Sequence, residues 1–255
     1  MARRKKKSYT SWQFLLVFFL MLAIIILGYE WWNSHRSKFV HYAAFGISIP
    51  ENFSIHGIDV SKHQQTIAWE EVEAMQVKNI KIGFAFIKAT EGISNTDAQF
   101  YRNWKKSKRA GMIRGAYHFF LATKDGREQA ENFIKAVDLD AGDLPPVVDI
   151  EQSFGVSTSV LKNELKEWLD VVENYYGVKP MIYTNVDFYN HYLNKDFDSY
   201  PLWTAHYFQY DAPHINRNWA FWQHSEEGRV NGILTKVDFN VFNGDSTAFR
   251  NLLVN

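Results

Sequence analysis

Apolar positions follow two different patterns along this chain. Residues 14–27 are uniformly apolar, whereas from Ile55 onward short apolar runs alternate with segments whose apolar residues recur at helical spacing. The helical spacing is clearest over Ser159–Tyr176, where Gly177 follows as a C-terminal stop. A repeated alternation of strands and helices predicts a parallel sheet covered by helices.

The apolar runs after Ile55 predict eight strands, separated at first by helices. The predicted strands are Ile55–Val60, Ile82–Lys88, Arg114–Phe119, Pro146–Ile150, Pro180–Tyr183, Leu202–His206, Ala220–Gln223 and Val237–Val241. The predicted helices are Trp69–Lys78, Asp97–Ala110, Arg127–Val137 and Ser159–Tyr176, with a further turn or two near Phe188–Leu193. Because helices become scarce after the fifth strand, the chain is predicted to form an irregular TIM-like barrel of five strand–helix units followed by three strands. The predicted fold class is therefore α/β, with one N-terminal transmembrane helix before the barrel.

The apolar run near the N-terminus predicts a membrane span. The segment from Trp12 to Trp32 approaches the roughly 20 residues that a bilayer core requires, and tryptophans stand at both of its ends. The basic residues that precede it predict a cytoplasmic N-terminus and an exported C-terminal part. A cleaved signal peptide is the alternative, but residues 28–32 lack small residues at the −3 and −1 positions of a cleavage site.

These patterns predict four segments. They are a basic cytoplasmic tail over residues 1–11, a transmembrane anchor over 12–32, a linker over 33–54 and a folded barrel over 55–255. We interpret residues 33–54 as a linker because they show no convincing periodicity. The expected location is the membrane, with the barrel on the periplasmic or extracellular side.

Composition and charge exclude several classes of protein. The chain has no cysteine, which excludes a thiol nucleophile, disulfides and an iron–sulfur cluster. Five of the 28 basic residues lie in residues 1–7, so the remainder has 23 basic and 28 acidic residues and a net charge of −5. An acidic body argues against binding of nucleic acid, which requires a basic face. No pair of histidines has helical spacing near the candidate carboxylates, so no metal and no other cofactor is expected.

Two carboxylates at the end of one apolar run are the strongest chemical signal. Asp149 and Glu151 follow Pro-Pro-Val-Val at positions i and i+2. Alternate residues of a strand share a face, so both side chains are expected to point the same way. Carboxylates are rarely buried unless they are paired, so two on one face of a core strand indicate a functional site.

Polar residues gather at the ends of the other predicted strands as well, which is where the site of such a barrel lies. Asp238 is the exception, because it comes early in the eighth strand. The polar residues at strand ends, in chain order, are Asp59, Lys88, Glu91, Tyr117, His118, Asp149, Glu151, Tyr183, His206, Tyr207, Gln223 and His224.

Eight short motifs, in order, resemble glycoside hydrolase family 25, the Chalaropsis-type lysozymes that cleave peptidoglycan. The resemblance covers about Ile55 to Phe242 and agrees with the predicted barrel. The motifs are Gly57-Ile58-Asp59-Val60-Ser61, Phe86-Ile87-Lys88-Ala89-Thr90-Glu91-Gly92, Gly115-Ala116-Tyr117-His118-Phe119, Val148-Asp149-Ile150-Glu151, Ile182-Tyr183-Thr184-Asn185, Leu202-Trp203-Thr204-Ala205-His206-Tyr207, Trp222-Gln223 and Val237-Asp238-Phe239-Asn240.

The resemblance implies roles for particular residues. Glu151 matches the general acid of the family, and Asp149, Asp59 and Asp238 match its other active-site carboxylates. The remaining candidates are expected to bind substrate. They are Tyr117, Tyr183, Trp203, Tyr207, Trp222, Gln223, Lys88 and Glu91.

Some of these residues have an equally simple structural explanation. The rings of Tyr117, Tyr183, Trp203 and Trp222 are either sugar contacts or plain barrel core. Lys88 and Glu91 are expected to pair with each other rather than to take part in catalysis.

The mechanism and the substrate leave alternatives open. We expect a raised pKa for Glu151 beside an ionised Asp149. The i, i+2 spacing does not separate a retaining from an inverting reaction. Attack by the substrate's own acetamide, steadied by Asp149, is the preferred hypothesis, with Asp59 or Asp238 as the alternative assisting group. The expected activity is hydrolysis of the β-1,4 bond of peptidoglycan by a monomer; the alternatives are a chitin-type hydrolase and a non-catalytic glycan-binding module.

Overall fold

The computed structural model describes residues 11–34, 38–209 and 211–255. The predicted basic tail, apart from Ser11, lies outside these residues. The strands are β1 (Phe39–Tyr42), β2 (Ile47–Pro50), β3 (His56–Val60), β4 (Gln76–Val77), β5 (Ile80–Glu91), β6 (Asn95–Thr96), β7 (Ile113–Phe119), β8 (Val147–Asp149), β9 (Met181–Asn185), β10 (Leu202–Ala205), β11 (Phe221–Gly228) and β12 (Val237–Phe242). The helices are α1 (Ser11–Ser34), α2 (Trp69–Ala74), α3 (Phe100–Arg109), α4 (Gly126–Ala136), α5 (Thr158–Tyr176), α6 (Val186–Phe188) and α7 (Ser246–Leu252), and Tyr189–Leu193 and Asn194–Phe197 form further short helical turns.

Eight strands close into a barrel, which confirms the predicted fold class. Their order around the barrel is β3-β5-β7-β8-β9-β10-β11-β12, and β12 returns to pair with β3. From β3 through β11, neighbouring barrel strands are parallel. β12 is antiparallel to both of its neighbours.

The direction of β12 explains the exceptional position of Asp238. Because this strand runs against the others, its beginning lies at the same end of the barrel as their carboxyl ends. Asp238 is paired in register with Asp59 of β3. A residue early in the eighth strand therefore reaches the same mouth of the barrel as residues late in the other strands.

Aromatic side chains fill the barrel below this mouth. Phe84 and Phe86 on β5 pack edge-on against Phe221 on β11, with ring centroids 5.0 and 5.2 Å apart. Glycine is required opposite them, because a Cβ at Gly57 would stand 2.4 Å from the Phe84 ring and one at Gly115 would stand 2.6 Å from Phe86. The interior is therefore a solid apolar plug that supports the polar end of the barrel.

Two helices are shorter than predicted: one ends early and the other begins late. The helix expected over Trp69–Lys78 ends at Ala74, since Gln76 and Val77 turn back to pair with β5. The helix expected from Asp97 begins at Phe100. The Asp97 carboxylate instead accepts hydrogen bonds from the backbone N–H groups of Lys62 and Gln99.

The segment 33–54, expected to be a linker, contains a folded hairpin. β1 and β2 pair antiparallel, and Phe45 and Ile49 are completely buried in the cluster that covers the outside of the barrel. The rings of Phe45 and Phe239 of β12 lie with their centroids 5.3 Å apart. The backbone carbonyl of Phe45 accepts a hydrogen bond from the backbone N–H of Arg229. Sequence periodicity missed this hairpin because each strand has only four residues, too few for alternation to stand out.

Helix α1 includes the predicted span. Trp12–Trp32 has 21 residues, a mean hydropathy of 2.4 and no burial against the rest of the protein. Its length and composition are those of a membrane-crossing helix.

We predict that the hairpin contributes to the stability of the barrel. Phe45→Ala should lower the free energy of unfolding by about 3–5 kcal/mol, because it leaves a cavity in a fully buried cluster. Leu234→Ala, at a side chain that is 97% exposed, is the control and should change stability by less than about 0.5 kcal/mol. Denaturant titration of the full chain in detergent measures both; equal, small effects would show that the hairpin is only loosely attached.

Candidate active site

Four carboxyl groups converge at the mouth of the barrel. Asp59 comes from β3, Asp149 from the end of β8, Glu151 from the residues just after it and Asp238 from β12. Asp59 and Asp149 are each 6% exposed, and Glu151 and Asp238 are partly exposed. The structure thus brings together all four carboxylates that the sequence analysis singled out.

Asp149 and Glu151 form the first carboxyl pair. The two side chains are hydrogen-bonded to each other, and burial raises the pKa of both. The pKa of Asp149 lies well above its ordinary value, because the carboxyl group is deeply buried and the charge of Glu151 adds to the effect. The Asn185 side chain donates a hydrogen bond to Glu151, which moderates the rise of the Glu151 pKa.

Burial raises the pKa of both groups, and Asp149 is the more deeply buried of the two. Two buried carboxyl groups in contact cannot both ionise at neutral pH. The pair therefore holds at least one proton, and an ionised Asp149 beside a protonated Glu151 stays a prediction.

Asp59 and Asp238 form the second pair. They also share a hydrogen bond, and burial followed by the charge of Asp59 raises the pKa of Asp238 to about 9. The pKa of Asp59 is raised by burial and held down by hydrogen bonds from Asn240, Gln223 and Asp238. Asp59 is therefore the ionised member of this pair and Asp238 the protonated one.

Two side-chain amides hold Asp59 in place. Gln223 Nε2 and Asn240 Nδ2 donate to Asp59 Oδ2 at 2.8 and 2.7 Å. The carbonyl oxygens of both amides are engaged by aromatic donors. Asn240 Oδ1 accepts from Trp203 Nε1 at 2.7 Å, and Gln223 Oε1 accepts from the hydroxyl groups of Tyr183 and Tyr207 at 2.7 and 2.5 Å.

The hydrogen-bond partners of each amide determine which way it faces. The Trp203 indole N–H can only donate, so it requires the Asn240 oxygen and leaves the NH₂ group for Asp59. A phenol both donates and accepts, so the orientation of Gln223 is set by the Asp59 carboxylate, which accepts from the NH₂ group.

Asn240 and Asn185 are functional-site residues that the sequence analysis did not single out. Both lie inside quoted motifs, two positions after Asp238 and Tyr183, and strand alternation could have identified them.

The expected substrate-binding residues divide into four groups in the structure. Tyr117, Tyr183, Tyr207 and Gln223 lie among the carboxyl groups, whose charges raise the pKa of each tyrosine beyond the effect of burial. Trp203 is 2% exposed and stacks on Phe86 with ring centroids 4.3 Å apart, so it forms the floor below the carboxyl groups.

Trp222 does not reach the site. It alternates with Phe221 and Gln223, which face the interior, and therefore points outward. It is fully buried between Phe39 and Phe53, and its Nε1 donates to the carbonyl of His206 at 2.9 Å. His118 and His224 also lie on outward faces, because adjacent polar residues at a strand end cannot both face inward.

Lys88 and Glu91 form the expected pair, with Lys88 Nζ 2.7 Å from Glu91 Oε2. Lys88 also lies over the Phe119 ring, 4.6 Å from its centroid. Its charge favours the ionised form of Asp149 and so lowers the Asp149 pKa against the effect of burial. Lys88 thus borders the first carboxyl pair from the side.

Among the described residues, one group of acids has the spacing of a metal site, and it lies away from the mouth. Asp125, Glu164 and Glu167 stand between α4 and α5. Asp125 caps α4, Glu164 accepts from the N–H of Gly126, and Glu167 pairs with Arg127. Each acid therefore already has a protein partner.

The carboxyl groups at the mouth of the barrel are of the kind that a glycosidase requires. The mouth provides a partly exposed carboxyl group with a raised pKa, a buried carboxyl group in contact with it and a second pair in which one member stays ionised. Tyrosine hydroxyl groups surround them.

Comparison with known proteins agrees with this geometry. A sequence model of the glycosyl hydrolases family 25 matches residues 58–233. The uncharacterized protein YegX of Escherichia coli (strain K12) is 42% identical over 227 residues, which cover 89% of this chain and 82% of that protein. Lysozyme M1 of Streptomyces globisporus is 34% identical over 212 residues, covering 75% and 69%.

A solved structure supports the same assignment. The family 25 glycosyl hydrolase from Bacillus anthracis superimposes with a TM-score of 0.73 at 32% identity, over 80% of this chain and 95% of that one. The extent of the sequence match and the shared barrel show that this chain belongs to glycosyl hydrolases family 25.

Proposed function

We propose that this protein is a peptidoglycan muramidase that hydrolyses the β-1,4 bond between N-acetylmuramic acid and N-acetylglucosamine. The observation that carries the proposal is the contact between Asp149 and Glu151 at the mouth of a family 25 barrel. Similarity to proteins named lysozyme supports peptidoglycan as the substrate class.

In this proposal Glu151 is the general acid. It is the more accessible member of its pair, and burial raises its pKa in the direction that a general acid requires. The proton passes from Glu151 to the glycosidic oxygen as the bond from that oxygen to the anomeric carbon breaks. In this proposal the proton of the pair is on Glu151 when substrate is bound, and Asp149 has given up its own.

Once it has given up that proton, Asp149 can assist the substrate. Its carboxylate accepts the N–H of the substrate's acetamide, while the acetamide oxygen forms a bond to the anomeric carbon. Lys88 stabilises the charge on Asp149 at this stage. Water then attacks the anomeric carbon as the bond from the acetamide oxygen to that carbon breaks, which regenerates the acetamide. The Glu151 carboxylate takes up the proton that the water loses, so Glu151 is again protonated beside an ionised Asp149.

Asp59 supplies a fixed negative charge opposite the reacting carbon. It is held by two amide donors and by protonated Asp238, so it does not need to reorganise as positive charge develops on the sugar. This role is electrostatic, and it is distinct from that of the assisting Asp149.

The location follows from the N-terminal helix. We propose that Trp12–Trp32 anchors the protein in a membrane with the barrel on the exported side, where peptidoglycan lies. Such an anchor would restrict cleavage to wall close to that membrane, as in remodelling of the cell's own wall.

Digestion of purified peptidoglycan by the full chain in detergent tests the activity. Muramic acid at the new reducing ends, identified by mass spectrometry, is the expected result. Glucosamine at those ends would reassign the bond that is cut. Cleavage of chitin in place of peptidoglycan would favour a chitin-type hydrolase, and an intact substrate would reject both.

We predict that Glu151→Gln abolishes most of the activity without unfolding the barrel. Loss of general acid catalysis should lower kcat by about 10²–10⁴-fold, measured as release of reducing ends. Glu131→Gln, on the exposed face of α4, is the matched control and should retain normal turnover. Near-normal turnover in Glu151→Gln, with an unchanged unfolding transition, would remove Glu151 from the acid role.

We also predict that Asn240 acts as a positioning residue through Asp59. Asn240→Ala removes a donor that lowers the Asp59 pKa, so that pKa rises and the acid limb of the pH–activity profile moves to higher pH. At neutral pH kcat/KM should fall roughly 10–100-fold, as expected for loss of a hydrogen bond to a charged group.

Asn218→Ala, at an exposed asparagine, is the control for this change. An unshifted acid limb in Asn240→Ala would show that Asn240 supports packing alone.

A further inference from the structure

A second cavity lies beside the mouth of the barrel, outside its wall. It has a volume of about 310 Å³, near the lower end of the range for ligand pockets. Its walls come from the hairpin, from the residues after β10 and from the extension of β11 beyond Gln223. The lining residues are Phe39, Ile47, Ser48, Tyr207, Phe208, Gln209, His224, Ser225, Glu226 and Glu227.

The cavity adjoins the carboxyl cluster through Tyr207. Tyr207 lines the cavity, and its hydroxyl donates to Gln223, which holds Asp59. Glu226 on the cavity's edge is close enough to raise the pKa values of both Asp238 and Tyr207. A chain bound across the carboxyl groups therefore passes directly over this cavity when it leaves on that side.

Phe208 lines the cavity with an exposed side chain and a left-handed backbone conformation. Its side chain is 88% exposed, and its backbone has a φ of +58°, which is rare for a residue with a bulky side chain. Exposure of a phenylalanine and a left-handed backbone are both unfavourable, and such strain concentrates at binding sites. The geometry presents a flat aromatic ring to solvent beside the apolar surfaces of Phe39 and Ile47.

The charge of the lining restricts what can bind. Glu227 is paired with Lys236, while Glu226 is exposed and has no ion pair among the residues that the structure describes. Burial lowers the pKa of His224 to about 3, so this ring adds no positive charge at neutral pH. The cavity is thus apolar, with a negative edge and with hydroxyl and amide groups on Ser48, Gln209 and Ser225.

We propose that this cavity is a subsite for an uncharged N-acetylglucosamine unit of the glycan strand, with its pyranose ring stacked on Phe208. The C–H face of a pyranose is apolar and matches an aromatic ring, while its hydroxyl and acetamide groups match the surrounding polar side chains. N-acetylmuramic acid and the stem peptides carry carboxylates, which Glu226 repels. The subsite rests on the proposed function and extends it to the strand beyond the scissile bond.

Hydrolysis of strands of different length tests this subsite. The substrates are peptidoglycan strands separated by size, one set with the stem peptides removed and a parallel set with them attached. Phe208→Ala should lower kcat/KM on long strands about tenfold (~1.4 kcal/mol), through KM, and leave the shortest cleavable strand nearly unchanged. Tyr101→Ala, at an aromatic residue 62% exposed on α3, is the matched control and should behave like the unmodified chain.

Three results would overturn the proposal. The first is no effect of Phe208→Ala, and the second is an equal loss on strands of every length, which would indicate a general structural role. The third is a loss seen only while stem peptides are attached, which would assign the cavity to peptide.

A binding measurement separates failure of the subsite from failure of the proposed function. Chitohexaose, an uncharged N-acetylglucosamine hexamer, is titrated into the full chain carrying Glu151→Gln, with and without Phe208→Ala. About tenfold weaker binding in the double variant supports the subsite even if the chain cuts no peptidoglycan. Equal binding of the two variants rejects it.

Discussion

The pairing of β12 with β3 is the contact on which the rest of the site depends. It closes the barrel, and because it is antiparallel it sets Asp238 directly opposite Asp59. The same pairing brings Asn240 within 2.7 Å of Asp59. A parallel last strand would have carried Asp238 to the opposite end of the barrel, where it would meet no other carboxyl group of the site.

Buried acids are tolerated at this site because the four carboxyl groups form two pairs, and each pair can retain a proton. In each pair burial raises the pKa of at least one member, and Asp59 is compensated by two amides that also bond to Trp203 and to two tyrosines. Such groups affect stability in a defined direction. The pKa of Asp238 is raised from 3.8 to about 9, so its stabilising contribution is complete below pH 3.8 and is lost as pH rises through 9. Carboxyl groups placed for catalysis thus weaken the fold at neutral and alkaline pH.

The hairpin precedes residues 58–233, the part of the chain that the family model matches. It adds an outer wall to this family 25 barrel. It packs on the outer surface of β11 and β12 through Phe45, and it contributes Phe39 and Ile47 to the cavity beside the mouth. A segment between helix α1 and the barrel is therefore part of both the core and the wall of that cavity. This position places the segment that follows α1 beside the surface that a glycan strand would cross.

Much of the fold could be predicted because strand alternation and helical spacing are local. The eight barrel strands, the long helix α5 and the apolar span Trp12–Trp32 are all visible in the order of apolar and polar residues. Asp149 and Glu151 were found the same way, since residues two apart on a strand share a face. Asp59 stood out at a strand end, and the role of Asp238 came from the resemblance. The hairpin escaped because four-residue strands contain too little pattern. Trp222 was a candidate either for substrate binding or for the core, and it lies in the core because adjacent residues at a strand end point in opposite directions.

The sequence by itself determined the barrel, the span and the identity of the acids, since each depends on spacing along the chain. Only the tertiary structure decided which acids share protons, since Asp59 and Asp238 are 179 positions apart in the chain and meet through strand direction and register. It also decided how deeply each acid is buried, and burial raises the pKa of Asp149 well above its ordinary value. Depth of burial depends on everything packed around the group and on no pattern within its own strand.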